Sequence, residues 1–280
     1  MKICNTISDM RAASRVARLD GKRLGFVPTM GALHEGHVSL VRAAKAKCDV
    51  VAVSIFLNPL QFGPDEDLAK YPRTFERDRD LLEKEAVDVL FAPTPEEMYP
   101  AGAVTYVTVE GLSEKLCGKS RPGHFRGVTT VVAKLFHIVE PDLAFFGQKD
   151  AAQATIIRRM VRDLNLPVEI IVGPIVREPD GLAMSSRNAY LSPQQRKSAL
   201  VLNRSLTAVK NRYDKGERNA PTLIEAGKQV LAQEPAVRLD YFEIVDPATL
   251  DLVQELTSTS LVAVAAFVGN TRLIDNILLS

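Results

Sequence analysis

What most constrains the fold of this chain is a rhythm: through the first 175 residues, short apolar runs alternate with stretches whose apolar side chains recur every three to four residues. RLGFVPT reads as a buried strand, and Val38, Leu40, Val41 and Ala44 give the next segment, from about Glu35 to Lys47, the apolar stripe of a helix. VVAVSIF is a second strand. A loop rich in turn formers, NPLQFGPDEDLAKYP, leads into the charged helix RTFERDRDLLEKEA and the strand VDVLFAP. The shorter run AVTYVTVE reads as a strand too, followed by the helix VTTVVAKLFHIVE, the strand DLAFFG, the helix DAAQATIIRRMVRDLN and the strand VEIIVGP. This spacing predicts an α/β fold, a Rossmann-like doubly wound parallel sheet, because parallel neighbours need crossovers of helix length.

Past that region the pattern changes. SPQQRKSALVLNRSLTAVKNRY and APTLIEAGKQVLAQEP read as two amphipathic helices, with Ser192 as N-cap and Pro193 in the first turn of the first. RLDYFEIVD, SLVAVAAFVG and TRLIDNILL read as strands of a small antiparallel sheet. The expected organisation is a Rossmann-like domain over residues 1–176 and a smaller α+β domain over residues 177–280, with the boundary in GPIVREPDG. The 280-residue chain is 46% hydrophobic and 25% charged, enough to build such cores. Thirty-five basic residues face 34 acidic ones, a net charge of +1, so no overall field favours nucleic acid or an anionic membrane and any anion site is local. Cys4, Cys48 and Cys117 form no C-x-x-C pair and read as buried hydrophobes of a reducing compartment. The opening MKICNTISDMRAASRVARLDGKR lacks the apolar core of a signal peptide, and no apolar run approaches the roughly 20 residues that span a bilayer. The expectation is a cytoplasmic enzyme.

Within the rhythm, PTMGALHEGH at residues 28–37 sets two histidines around a Glu-Gly pair at a helix start. A zinc protease helix needs His-Glu-x-x-His; here the spacing is i, i+3, and His124 and His137 add no ligand spacing. Two exposed histidines at a helix start is the plain alternative. The context adds a third reading, since a strand followed by Pro28, Gly31 and Gly36 and opening onto a helix is where backbone N–H groups and a positive dipole end meet a phosphate. FFGQKD falls where another strand ends, so Lys149 is a compact cation for a triphosphate and Asp150 a partner for an amine or the nucleotide. LCGKS imitates the tail of a P-loop, but that motif needs glycine at position 113, which is Ser113, and Pro122 and Gly123 break the helix that should follow. The charged helix is mostly a solvated face; Asp78 is its candidate for helping phosphates hold magnesium.

HEGH resembles the His-x-Gly-His signature of the nucleotidyltransferase superfamily, which includes class I aminoacyl-tRNA synthetases. Within that group GFVPTMGALHEGHVSLV, FLNPLQFGPDEDLAKYPRT, RPGHFRGVTTVVAKLF, FFGQKDAAQ and DGLAMSSRNAYLS, in order from near residue 25 to residue 192, resemble the pantothenate synthetase (pantoate--beta-alanine ligase) family. AMSSRN resembles the Lys-Met-Ser-Lys-Ser loop of the synthetases, with Ala183 where their first lysine stands. The resemblance implies ATP contacts at Met30, Gly31, Ala32, Leu33, His34, Glu35, Gly36 and His37, at Gly147, Gln148, Lys149 and Asp150, and at Val176, Met184, Ser185, Ser186 and Arg187. It implies pantoate at Gln61 and Gln153, with beta-alanine also at Gln61, and catalytic parts for His34, His37, Lys149 and Arg187, His37 foremost. Neutral amides suit a pantoate carboxylate that must stay nucleophilic.

The implied reaction is ATP-dependent condensation of (R)-pantoate with beta-alanine through a pantoyl adenylate, using Mg2+, with the second domain as a lid over a water-sensitive intermediate and a homodimer formed through the first domain. Two rivals stand beside it. Another adenylyltransferase of the same fold, such as one acting on pantetheine phosphate, would want basic residues in place of Gln61 and Gln153. A non-enzymatic nucleotide- or RNA-binding module is opposed by the balanced charge, the absence of tryptophan and an aromatic content of 6%.

Overall fold

The alternating half folds as a six-stranded, all-parallel sheet in the computed structural model, which describes residues 1–64 and 66–280. In chain order its elements are β1 (Lys2–Cys4), α1 (Ile7–Leu19), β2 (Leu24–Thr29), α2 (Glu35–Lys45), β3 (Val50–Ile55), α3 (Phe75–Lys84), β4 (Val89–Phe91), the single turns α4 (Pro95–Met98) and α5 (Cys117–Ser120), α6 (His124–Val139), β5 (Leu143–Gly147), α7 (Ala151–Asp163) and β6 (Glu169–Gly173). The strands lie in the order β1-β4-β3-β2-β5-β6. From β2 the chain therefore winds outward one way through β3 and β4 and then the other way through β5 and β6, which makes the carboxyl ends of β2 and β5 the switch point where ligands bind in such sheets. Their ladder opens there. β2 pairs with β3 from Leu24↔Val50 to Thr29↔Ile55 but with β5 only at Gly25↔Leu143 and Phe26↔Ala144, and Pro28, with no N–H to give, lies past the end of that short ladder.

The core follows from the sequence stripe. Val38, Leu40, Val41 and Ala44 of α2 are all buried, and Leu40, Val41 and Ala44 pack into a cluster with Val27, Val51, Val53, Leu90, Leu143 and Phe145 from the central strands. Strands this apolar on both faces are stable only when helices cover both sides. Two elements near the start were not anticipated. β1 pairs with β4, and α1 is capped by Thr6, whose hydroxyl accepts from Asp9 N at 3.1 Å. The buried stripe of α1, Met10, Ser14 and Ala17, is too small and polar to stand out in a hydrophobicity pattern. AVTYVTVE is a correction: it forms no strand. The Val107 N–H donates to Thr130 Oγ1 at 3.0 Å and its carbonyl accepts from Thr129 Oγ1 at 2.6 Å, so hydroxyls of α6 hold this segment where a neighbouring strand would.

The antiparallel part comprises α8 (Pro193–Ala199), α9 (Val201–Asp214), α10 (Ala220–Leu231), β7 (Val237–Val245), β8 (Ser260–Val268) and β9 (Thr271–Leu279), the strands forming a meander. The single helix expected over residues 192–213 is two, α8 and α9, parted at Leu200; Ser192 and Gln195 form the capping box that starts α8. Leu206, Val209, Leu223, Phe242, Val262 and Val264 build this core. By contact density the chain divides into a first unit of Met1–Ser113, Arg121–Gly147 and Ile156–Pro174 and a second of Glu114–Ser120, Gln148–Thr155 and Ile175–Ser280. Among the described residues no helix is long and apolar enough to cross a membrane.

Candidate active site

In the first unit the loop after β2 is held by side chains rather than by ladder bonds. Gly31 and Ala32 take positive φ values of 85° and 51°. Asp78, 0% exposed on α3, accepts the N–H of Ala32 at 2.7 Å and of Leu33 at 2.9 Å, and the Thr74 hydroxyl at 3.1 Å. A buried carboxylate with both oxygens committed to internal donors is an anchor for the loop, and the expectation that Asp78 helps hold magnesium does not fit this geometry. Among the described residues no group of three His, Cys, Asp or Glu could hold a metal.

The loop delivers the chain into α2 through a capping box made of two histidines. His34 is the N-cap; its Nδ1 accepts from Gly36 N at 3.2 Å, while His37 Nδ1 accepts from His34 N at 3.3 Å, and the rings stand 4.1 Å apart at 41°. An imidazole that accepts at Nδ1 carries its neutral-state proton on Nε2. The cap thus fixes the tautomer of both rings and puts the neutral-state N–H of each at Nε2, at the positive end of a helix beside the switch point. Both rings are half-exposed. Glu35, by contrast, is tied with Glu85 to Arg42 on the outer side of α2.

Gln61, 9% exposed, sits on the turn Pro59–Gln61 and reaches back to this loop, its Nε2 contacting Met30 Sδ at 2.9 Å. Asn58 orients it. The Asn58 Nδ2 donates to Gln61 Oε1 at 3.0 Å and to the Gly127 carbonyl at 3.1 Å, and its Oδ1 accepts from Leu60 N at 3.2 Å and from the Tyr99 hydroxyl at 2.8 Å. Burial pushes the Tyr99 phenol far up, which keeps it a neutral donor. The Gln61 carbonyl meets His124 Nδ1 at 2.8 Å, so that nitrogen carries the proton and Nε2 accepts from Arg121 Nη1 at 3.0 Å. Arg121 also grips Glu66 through two bonds of 2.6 Å. Burial would raise the Glu66 pKa, but the Arg121 bonds and charge outweigh it and hold the carboxyl below its ordinary value. Asn58, Arg121 and His124 were assigned no task from the sequence; a polar residue directly before Pro59, and a His and an Arg at the start of an apolar helix, were the available signals.

The second unit holds the other candidates. Gln148–Asp150 form a 3-10 turn, with Lys149 Nζ 3.6 Å from Asp150 Oδ2, and Gln153 lies half-buried in the first turn of α7. The Gln148 and Lys149 carbonyls both accept from Asn276 Nδ2. Met184 N donates to the Val176 carbonyl, and Ser186–Tyr190 make a short 3-10 turn whose N-cap, Ser185, accepts from Arg187 N. Asn188 fixes that turn by donating to Glu178 Oε1 and the Ala183 carbonyl, and Arg196 holds Glu178 and Asp180 in place at 2.7 Å each. The structure thus gathers Met30, His34, His37 and Gln61 in one unit, and Gln148, Lys149, Gln153, Val176, Met184 and Arg187 in the other. LCGKS belongs to neither set: it is the short turn α5, whose Ser120 donates to Asp240 Oδ1 at 2.9 Å.

A family profile described as pantoate-beta-alanine ligase matches residues 2–278. The chain is 60% identical over 279 residues to the pantothenate synthetase of Koribacter versatilis, covering all of this chain and 96% of that protein. Among solved structures it is similar to the pantoate-beta-alanine ligase (pantothenate synthetase) of Thermus thermophilus, with a TM-score of 0.95, 49% identity and 99% of each chain covered. It is also similar to the pantoate-beta-alanine ligase of Francisella tularensis complexed with beta-gamma ATP and beta-alanine, with a TM-score of 0.81, 35% identity, and 99% of this chain and 97% of that one covered.

Proposed function

The chain belongs to the pantoate-beta-alanine ligase family, and from that premise we propose that it joins pantoate to beta-alanine in two ATP-driven half-reactions. In the first, a pantoate carboxylate oxygen attacks the α-phosphorus of ATP, the bond to the β-phosphate oxygen breaks, and pyrophosphate leaves with its electron pair. In the second, the beta-alanine amine attacks the acyl carbon of the pantoyl adenylate, the amide forms as the amine loses a proton, and AMP departs. Family membership sets aside the pantetheine phosphate acceptor and the non-enzymatic module.

The observation that carries this reading is the two-histidine capping box. Two Nε2–H donors preset by the same bonds that start α2 suit a phosphate whose negative charge grows in the transition state, since donors fixed in advance need no reorganisation. His37 and His34 are assigned to the reacting phosphate, Lys149 and Arg187 to the departing pyrophosphate, and Gln61 and Gln153 to pantoate. The oriented amide of Gln61 supports its part, because Asn58 holds Oε1 and so turns Nε2 to the Met30 side. Beta-alanine is assigned to the Gln61 neighbourhood as well. Magnesium enters as part of the substrate, MgATP, on the phosphate oxygens. The Francisella relative crystallised with beta-gamma ATP and beta-alanine supports both ligands as substrates of this chain. We also propose a homodimer: residues 103–110 present Val104, 83% exposed, and Tyr106 to the outside of an extended segment, and a mass near twice 30.7 kDa in sedimentation, reduced by Val104→Asp, tests it.

Isotope exchange is the direct test of the two-step order. Labelled pyrophosphate is expected to enter ATP when pantoate is present and beta-alanine absent. Exchange that begins only on adding beta-alanine would exclude a separate adenylation step.

A further inference from the structure

We propose that Asn276, on the C-terminal strand β9, is the positioning residue that sets the Lys149 ammonium for adenylation; the inference rests on the assignment of Lys149 to the pyrophosphate end of ATP given above. The lysine is carried on the 3-10 turn Gln148–Asp150, which runs directly into α7. Asn276, 3% exposed, satisfies two carbonyls of that turn: its Nδ2 donates to the Gln148 carbonyl at 3.0 Å and to the Lys149 carbonyl at 2.9 Å, and its Oδ1 accepts from Gln148 Nε2 at 3.0 Å. The amide is over-determined. Rotated by half a turn, it would set its oxygen against two carbonyls and its N–H groups against a third donor.

The residue beneath is fixed in the same manner. Asp275, also 3% exposed, accepts the Asn276 N–H at 2.8 Å, and both terminal nitrogens of Arg177 grip it at 2.7 and 2.9 Å while Arg177 Nη1 also donates to the Gly181 carbonyl at 3.1 Å. Strand β9 does not need the Asn276 side chain for its own pairing, since its ladder with β8 runs unbroken from Ser260↔Leu279 to Val268↔Thr271. An asparagine and an aspartate interrupt the apolar run TRLIDNILL at a point where burial demands partners, and the partners of the asparagine are the peptide of Lys149 and the residue before it. With its peptide plane clamped, the lysine side chain departs from a fixed Cα–Cβ direction, which narrows where Nζ can stand.

The test is Asn276→Asp, which keeps shape and the acceptor but turns two donors into lone pairs facing carbonyls. It is expected to lower pantoate-dependent pyrophosphate exchange by about tenfold to a hundredfold, the scale of a displacement near 1 Å, with thermal stability measured alongside. Preformed pantoyl adenylate is expected to react with beta-alanine at close to the unmodified rate. Lys149→Gln is run in parallel, and the double variant is expected to exchange no more slowly than Lys149→Gln alone, because a residue that acts through the lysine has nothing left to position. Losses that multiply in the double variant, or equal losses in both half-reactions, overturn the inference. Should aspartate at this buried position prevent folding, Asn276→Ala enters the same cycle, and a folded Asn276→Ala with unmodified exchange overturns it equally. If Lys149→Gln itself slows both half-reactions alike, the assignment of Lys149 fails and takes this inference with it; if Lys149→Gln is selective and Asn276→Asp is not, only the part given to Asn276 falls.

Discussion

Histidine is an unusual N-cap, and at position 34 the same ring has two separable atoms: its Nδ1 closes the helix, and Nε2 carries the proton assigned to the phosphate in the reading above. Asparagine caps as well as any residue but carries no donor at the Nε2 position. His34→Asn is therefore expected to leave the melting temperature within a few degrees and to lower pyrophosphate exchange by about a hundredfold, the scale of losing one preorganised transition-state donor. An unchanged exchange rate would reduce His34 to a cap. The helix start at HEGH was legible in the sequence, because spacing and the flanking glycines are local. The loop-anchoring contacts of Asp78 were not foreseen because its partners, Ala32 and Leu33, lie 46 and 45 residues away. A signal existed: Asp78 shares the buried face of α3 with Leu82, and a carboxylate on a buried stripe must find donors inside. Asp78→Asn keeps the volume but turns an NH2 toward a backbone N–H, so a loss of about 2–3 kcal/mol is expected in denaturant unfolding, with no rise in the magnesium concentration needed for turnover. A raised magnesium requirement in a variant of normal stability would return Asp78 to the metal.

Among the elements, α6 and the turn Pro59–Gln61 illustrate what a pattern of apolar residues leaves out. A Cβ added at Gly127 would stand 2.2 Å from the Leu60 carbonyl oxygen and 2.6 Å from Gln61 Cα, backbone atoms that no side-chain rotation can move. Glycine lowers helix propensity by about 1 kcal/mol, yet only glycine lets the turn lie directly on the helix. Gly127→Ala is expected to raise the pantoate KM several-fold more than the ATP KM, by displacing Gln61; a uniform change in both, or in neither, would mean that the turn tolerates the shift. The neighbouring Glu66–Arg121 pair gives the same region a pH limb. Because the Glu66 pKa is lowered in the folded protein, the stability it contributes is fully present above the ordinary glutamate value of about 4.3 and is lost as pH falls through the lowered one. Glu66→Gln is expected to flatten that part of the acid unfolding profile, and an unaltered profile would show that the pair contributes nothing to it. Strongly periodic elements such as α2 and the central strands were readable because one apolar face dictates them. AVTYVTVE carries the alternation of a strand as clearly, and still forms none, because the Val107 backbone bonds to threonine hydroxyls of α6. Periodicity reports which side chains are apolar, whereas the partner of a backbone is decided by tertiary structure.

Over the whole molecule, a boundary read along the chain has to be a single point, whereas compactness allows a unit to be assembled from separated pieces. The long second segment begins at Ile175, inside GPIVREPDG where composition changes, but Glu114–Ser120 and Gln148–Thr155 join it from within the alternating half. Neither carries a compositional mark; what ties them is specific polar contact. Lys115 Nζ donates to the Thr249 carbonyl and Asp251 Oδ1 at 2.7 Å each, Cys117 Sγ lies 3.2 Å from the Tyr241 hydroxyl, Thr155 Oγ1 donates to the Pro247 carbonyl at 2.8 Å, and Asn276 holds the carbonyls of Gln148 and Lys149. If these contacts make one cooperative body, weakening its core should loosen the two segments along with it, wherever they stand in the sequence. Leu206→Ala removes a fully buried side chain from that core at a cost of about 2–5 kcal/mol. Native-state hydrogen exchange of this variant is expected to show protection falling together in α9, β8 and β9 and in residues 114–120 and 148–155, while β2 and β3 keep theirs. Were the two segments instead to keep the protection of β5 and α6, their sequence neighbours, the cooperative boundary would lie near residue 177. The turn bearing Lys149 would then answer to the parallel sheet that precedes it, and Asn276 would touch that turn without governing it.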